Sequence, residues 1–250
     1  MANKLTAEQK LQQKTRRGLL TLGAGMAAAV GGFAWLYPGA DAEDIPGPLR
    51  SVLNFNERVV RGALYDNSHL AKTFPAREVR KLRVNGKAGL REPIDLAQWS
   101  VDLVKVGEKQ ASARLTMAEI TSALPRTEET IEFKCIEGWS AVTQFAGARF
   151  SDFTARFAAG SEKAPYVRMA TPDGEYYVGL DMPSAMHPQT LLAWEMNGAP
   201  LTVEHGAPLR LVIPVKYGVK NIKRIGRIEF AEQRPGDYWA EQGYDWYAGL

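Results

Sequence analysis

Cys135 lies in the run Phe133-Lys134-Cys135-Ile136-Glu137-Gly138-Trp139-Ser140 and is the only cysteine among 250 residues. A thiolate is both a nucleophile and a ligand for soft metals, and the glycine and tryptophan that follow would let an indole cover one side of it. With no second cysteine an intramolecular disulfide is excluded. Cys135 is therefore a buried apolar residue, a reactive thiol or a metal ligand. A second segment with chemical potential begins at His205-Gly206-Ala207-Pro208-Leu209-Arg210 and runs to Arg227. It carries Arg210, Lys216, Lys220, Lys223, Arg224 and Arg227, interrupted by Gly218 and Gly226. Arginine offers a fork to a phosphate, lysine a point charge, and glycine close backbone approach. A solvated charged edge would carry the same pattern.

Other chemistries find no support. His69, His187 and His205 lack zinc-ligand spacing and a paired cysteine. No Gly-x-Ser-x-Gly elbow, phosphate loop or Cys-x-x-Cys occurs. Gly23-x-Gly25 falls inside an apolar leader and not between a strand and a helix, so it has no dinucleotide meaning. The formal charge of +3 is small and scattered, which argues against nucleic acid. Charged residues at 24% and hydrophobic residues at 45% are ordinary for one globular domain.

Gly18 to Tyr37 is free of charge and rich in Leu, Ala and Gly, behind Lys10, Lys14, Arg16 and Arg17. That is the layout of an export signal. Lys14-Thr15-Arg16-Arg17-Gly18-Leu19-Leu20 resembles the twin-arginine type, and Ala40-Asp41-Ala42 supplies small residues for cleavage after Ala42. Residues 1–42 are accordingly expected to form a leader or an uncleaved membrane anchor, and 43–250 the working domain. Roughly 200 residues then remain, enough for one domain with a full core.

The elements that must position these groups are read from periodicity. Val52, Leu53, Val59, Val60 and Leu64 form one stripe, predicting an amphipathic helix over 50–65. Strands are expected at 80–85, ending at Asn85-Gly86, and at 99–106. A short helix over 116–124 is stopped by Pro125, and a strand over 130–136 leads into the cysteine segment. A helix follows at 150–159. Strands are expected at 166–170 and 176–180, around Pro172-Asp173-Gly174, and then at 190–196, 209–215 and 225–230. Many short strands with few helices and no βαβ regularity predict an α+β domain built on a single mixed sheet.

At Lys134-Cys135-Ile136-Glu137-Gly138-Trp139-Ser140, at Ala185-Met186-His187-Pro188-Gln189-Thr190-Leu191, and from Gly206-Ala207-Pro208-Leu209-Arg210 through Pro214-Val215-Lys216-Tyr217-Gly218-Val219-Lys220, the chain resembles the sulfite oxidase family of molybdopterin enzymes. The similarity extends to Tyr244-Asp245-Trp246-Tyr247 and leans toward the family's bacterial periplasmic branch of methionine sulfoxide reductases. It is good from about Phe133 onward and thin before it.

The resemblance implies a Mo-molybdopterin cofactor with Cys135 as thiolate ligand. It implies cofactor contacts from Thr171, His205, Arg210, Asn221, Ile222 and Lys223, with Asn54, Asn56 and Glu57 as candidates for a contact from the N-terminal segment. His205 departs from the branch, which carries asparagine there. Glu137 and Tyr217 are expected near the metal, the carboxylate handling a proton and the phenol donating a hydrogen bond. The implied reaction is oxygen-atom transfer, with two electrons moved at molybdenum and passed on singly. A cofactor inserted in the cytoplasm requires export of the folded protein, which the twin-arginine route provides. With no Cys-x-x-Cys-His present, electrons are expected from a partner, a membrane haem b protein, and the chain itself is expected to be a monomer in the periplasm. Reduction of a sulfoxide such as methionine sulfoxide is the favoured reaction. Sulfite oxidation is the alternative if Arg149, Arg156 and Arg168 converge near the metal, and a non-catalytic exported binding protein is a third reading.

Overall fold

The computed structural model describes residues 7–36, 45–66 and 68–250. The chain divides into two compact units, Met1–Arg58 and Val59–Leu250. In the first, helix α1 spans Ala7–Leu36. Leu19, Leu20, Leu22, Met26, Val30 and Phe33 all stand exposed on it. The cleavage site expected at Ala40-Asp41-Ala42 lies outside the described residues. Helix α2, Gly47–Val59, continues into one π-helical turn, Val60–Leu64. The helix expected over 50–65 is therefore present, and Asn54, Asn56 and Glu57 lie on it.

The second unit holds ten strands: β1 Ser100–Val104, β2 Ala113–Thr116, β3 Thr127–Lys134, β4 Ser140–Arg149, β5 Tyr166–Ala170, β6 Tyr177–Asp181, β7 Leu191–Met196, β8 Ala199–Pro200, β9 Arg210–Val212 and β10 Arg227–Ala231. Three helices join them: α3 Met117–Ala123, α4 Phe150–Phe157 and α5 Met182–Ala185. The α+β class holds, but the strands divide between two sheets. One has the order β2-β1-β10-β5-β6 and is mixed, because β1 runs parallel to β10 with Leu103 opposite Ile228. The other, β3-β4-β7-β8 with β9 also paired to β7, is antiparallel throughout.

Side-chain alternation explains how two sheets share one interior. Ala148 on β4, Leu192 on β7 and Leu211 on β9 join Val101, Leu103, Val167, Met169, Leu180 and Ile228 of the mixed sheet in one core, with Ile120 of α3 and Phe150 and Phe153 of α4. The other face of the antiparallel sheet sends Ile131, Phe145, Leu191, Ala193 and Val212 into a second cluster with Leu82, against which Phe133 and Trp139 pack. That second cluster is the floor of the site described below.

Strands β2, β4 and β8 go beyond the sequence reading, and one expected strand is missing. The expected strand at 80–85 forms no ladder. Arg80 donates one backbone bond to the Val142 carbonyl at 2.8 Å, while Leu82 turns inward to the second cluster. Strand β4 was not anticipated, since Ala141, Ala146, Gly147 and Ala148 blur its alternation. Gly147 has a packing reason. A Cβ built there would lie 2.0 Å from the Leu192 carbonyl oxygen, at the register shift where β4 crosses β7. Gly147→Ala should cost about 1–3 kcal/mol by overpacking backbone against backbone. Urea unfolding would check this, and a midpoint equal to the parent's would contradict it.

Candidate functional site

Hairpin β3–β4 sets Cys135. The last ladder pair is Lys134 with Ser140, and the intervening loop closes when Cys135 N–H donates to the Trp139 carbonyl at 2.9 Å and Gly138 N–H to the Cys135 carbonyl at 3.1 Å. Gly138 has φ 86°, a left-handed conformation that glycine adopts without Cβ strain. Cys135 is thus on the turn, one residue past the strand, and it is buried. Asn85 Nδ2 points at its sulfur from 3.7 Å. Trp139 stacks on Phe133 with centroids 6.1 Å apart, and its Nε1 donates to Glu137 Oε2 at 3.1 Å. That bond, with help from Asn85 and the positive charge of Arg83, holds the exposed Glu137 carboxyl below the usual glutamate range. Those contacts favour the carboxylate form of Glu137.

These residues border a cavity of about 260 Å³. Its lining includes Arg83, Asn85, Gly86 and Lys87, the hairpin residues Cys135, Glu137 and Trp139, and His205, Arg210, Gly218, Val219, Asn221 and Lys223. Tyr176, Tyr238, Trp239 and Tyr244 complete the wall.

The basic side of the cavity is electrostatically unusual. Arg210 is only 1% exposed, and its guanidinium donates to the carbonyls of His205 at 3.1 Å, Asn221 at 3.3 Å and Leu211 at 3.4 Å. Its carbon lies 5.7 Å from the Phe133 ring centre and 5.2 Å from that of Phe145. Among the described residues no carboxylate pairs with it. Burial pushes it down to about 10. Lys223 donates to the Asn85 carbonyl at 2.6 Å, and burial, then the nearby Arg210, push it down to about 8. His205 is lowered by burial and by the same two cations, and its buried Nδ1 has no hydrogen-bond partner among the described residues. A cavity flanked by Arg210, which has no carboxylate partner among the described residues, and by a second cation, Lys223, beside an orphaned ring nitrogen, suits an anionic group with acceptor oxygens. Gly206 keeps this wall tight: at φ 99° a Cβ there would sit 2.7 Å from Lys223 Cβ.

Of the residues named from sequence, Cys135, Glu137, His205, Arg210, Asn221 and Lys223 come together on this cavity. Asn221 spends its side chain locally, accepting from Ile213 N–H at 2.8 Å and donating to the Tyr217 carbonyl at 3.1 Å. Ile222 is fully buried in the main core. Thr171 is off the lining, closing the Pro172-Asp173-Gly174 turn through Asp173 Oδ1 at 2.5 Å and Tyr176 N–H at 3.1 Å. Tyr217 is off it too, while its neighbours Gly218 and Val219 are on it. Asn54, Asn56 and Glu57 belong to the first unit, whereas every lining residue belongs to the second. Sequence reasoning missed Arg83, Asn85, Tyr176, Tyr238 and Trp239. For the last two, the density of Tyr and Trp from 238 to 247 was the available signal. Arg149, Arg156 and Arg168 do not converge here; Arg156 lies over Phe157 and Arg168 over Tyr177.

Comparison with known proteins gives a consistent result. The model of the oxidoreductase molybdopterin binding domain matches residues 88–239. The Azospira oryzae protein named as a YedZ1 subunit of protein-methionine-sulfoxide reductase is 34% identical over 214 residues, covering 84% of this chain and 79% of that protein. The protein-methionine-sulfoxide reductase catalytic subunit MsrP of Xanthomonas axonopodis pv. citri is 30% identical over 253 aligned residues, covering 93% and 74%. That of Xanthomonas campestris pv. campestris is 36% identical over 159 residues, covering 58% and 49%. Among solved structures, the sulfane dehydrogenase SoxCD of Paracoccus pantotrophus superposes with a TM-score of 0.50 at 19% identity, over 57% of this chain and 40% of that one. At that identity the likeness is one of fold.

Lys223 gives the site a pH signature. A lysine whose folded value lies at about 8, below its ordinary 10.5, binds fewer protons folded than unfolded, so stability rises with pH across that window and the penalty is full below it. In cofactor-free protein, Lys223→Met should therefore be more stable than the parent at about pH 7, with the gap closing toward about pH 10. Denaturant unfolding across that range would show it, and a gap independent of pH would contradict the assignment.

Proposed function

This chain belongs to the oxidoreductases with a molybdopterin-binding domain, and from that premise we propose that it reduces neutral sulfoxides, methionine sulfoxide in particular, with electrons drawn from a membrane haem partner. It is a molybdenum-dependent oxidoreductase whose cofactor is Mo-molybdopterin. When bound, that group supplies two-electron oxygen-atom transfer. The residues of the cavity fit it: a buried thiol for the metal, and the cations Arg210 and Lys223 with an orphaned His205 Nδ1 for the phosphate and polar edge of the pterin.

In this reading Cys135 is the metal's protein ligand, held by a hairpin turn that leaves its sulfur facing the cavity. Arg210 and Lys223 bind the anionic end, and His205 hydrogen-bonds to the cofactor. Glu137, two residues beyond the ligand and ionised, takes up or relays the proton that a departing oxygen atom requires. Asn85, between Cys135 and Lys223, orients both.

The observation that carries the substrate class is the aromatic part of the cavity lining. Tyr238, Trp239 and Tyr244 face the cavity, while Arg149, Arg156 and Arg168, the arginines considered for sulfite, lie elsewhere. A doubly charged anion would find little to hold it on that side, whereas a thioether-like side chain packs well on aromatic rings. The names of the relatives, reductases of protein methionine sulfoxide, support the same substrate.

The leader and the reaction belong together in this proposal. The exposed apolar side chains of α1 suit a segment that is either removed or buried in lipid, and the Arg16-Arg17 pair suits folded export to the periplasm, where a membrane haem protein reaches the site.

Assays in both directions test the reaction. The loaded enzyme should reduce methionine sulfoxide with a kcat/KM at least about 100-fold above its value for sulfite oxidation, a gap of roughly 2.7 kcal/mol. Glu137→Gln should lower kcat at least about tenfold with molybdenum content unchanged. Faster sulfite oxidation would overturn the substrate class, and an unaltered kcat in the variant would remove Glu137 from proton handling.

A further inference from the structure

The aromatic wall and the basic loop come from segments far apart in sequence, yet both rest on one buried ion pair. Asp237 and Lys220 are 2% and 1% exposed. Lys220 Nζ lies 2.5 Å from Asp237 Oδ2 and 3.0 Å from the Gly179 carbonyl, and Gly179 N–H returns a bond to the same Oδ2 at 3.1 Å. The other carboxylate oxygen, Oδ1, accepts from the backbone N–H groups of Trp239 and Ala240, each at 3.1 Å. One carboxylate thus fixes the turn that carries Tyr238 and Trp239. Its partner lysine closes the turn Gly218–Lys220, whose Gly218 and Val219 line the cavity on the cofactor side.

A second tie runs beside the first. Tyr176 donates its hydroxyl to the Val219 carbonyl at 2.5 Å and packs on Tyr238 with centroids 5.2 Å apart. Tyr238 then meets Trp239 at 5.3 Å, and Trp239 meets Tyr244 at 5.2 Å. A shift of the 236–244 segment relative to residues 218–223 would therefore break the ion pair and part Tyr238 from Tyr176, whose hydroxyl holds Val219.

We propose that Asp237 and Lys220 are positioning residues that set the aromatic wall against the cofactor loop, and that the wall, with Trp239 at its centre, is the specificity surface for the methyl-sulfoxide side chain. Neither residue touches substrate. Asp237 acts through Trp239, and Lys220 acts through Asp237. Removal of either loosens the wall and weakens substrate capture before it affects the reacting centre. The inference rests on the sulfoxide reading given above.

The test is a double-mutant cycle on the loaded enzyme, with a methionine sulfoxide peptide as substrate. Asp237→Asn and Trp239→Ala should each raise KM about tenfold, with the larger share of the loss in KM and not in kcat. The double variant should lose clearly less than the sum of the two single losses, because the carboxylate acts mainly through the placement of Trp239. Hydrogen exchange of the same proteins should show faster exchange in both 218–223 and 236–247 in Asp237→Asn. Should that variant fail to accumulate, Asp237→Glu keeps the charge opposite Lys220 while displacing the caps on Trp239 and Ala240, and it reads the same coupling. An unchanged KM, additive losses, or exchange confined to 236–247 would overturn the inference. A parent enzyme with no sulfoxide turnover would instead sink the substrate reading, and the exchange result would still report on the coupling.

Discussion

A guanidinium buried without a carboxylate is the constraint around which this site is organised. Arg210 is held between Phe133 and Phe145 by three backbone carbonyls, and nothing among the described residues neutralises it. Lys223 adds a second cation nearby, and both are pushed downward by burial. Burial of uncompensated charge is costly, and a fold tolerates it where a ligand supplies the missing negative charge. The geometry around Arg210 follows from that requirement. The carbonyls of 205, 211 and 221 must point inward, so the loops on either side of β9 curl around the side chain.

The antiparallel sheet makes the opposite contribution. Its hairpin turn presents Cys135, and its lower face supplies the apolar floor of Ile131, Phe145, Ala193 and Val212. A thiol on a turn closed by two backbone hydrogen bonds needs little reorganisation to meet a metal. Trp139 stacks on Phe133 and fastens Glu137 by its indole N–H. Rigid strands below and a fixed turn above are what a preorganised ligand position requires.

Much of this was legible in the chain itself. The cysteine segment and the basic run stood out as residue types, and the site joins them. Turn chemistry was readable because Gly86 and Gly174 adopt positive φ at the predicted bends. The structure hid three things. Strand β4 is built from small residues whose alternation is invisible without β3 and β7 beside it. Segment 80–85 alternates like a strand but finds only one ladder bond, so it becomes a cavity wall. The roles of Tyr176, Tyr238 and Trp239 depend on a buried ion pair between residues 220 and 237, and no local pattern announces a contact at that separation. Thr171 and Tyr217 show the converse. Tyr217 stands off the cavity while Gly218 and Val219 line it, and Thr171 is spent on closing its own turn.

The central claim is that this cavity holds the molybdenum cofactor through Cys135. The most direct measurement is metal content together with X-ray absorption at the molybdenum edge, on protein from a molybdate-replete host and on its Cys135→Ala variant. The account predicts about one molybdenum per chain in the parent, bound by the two dithiolene sulfurs and one further sulfur, with that extra sulfur lost in the variant. An identical sulfur count in the two proteins would contradict it, as would a parent without metal.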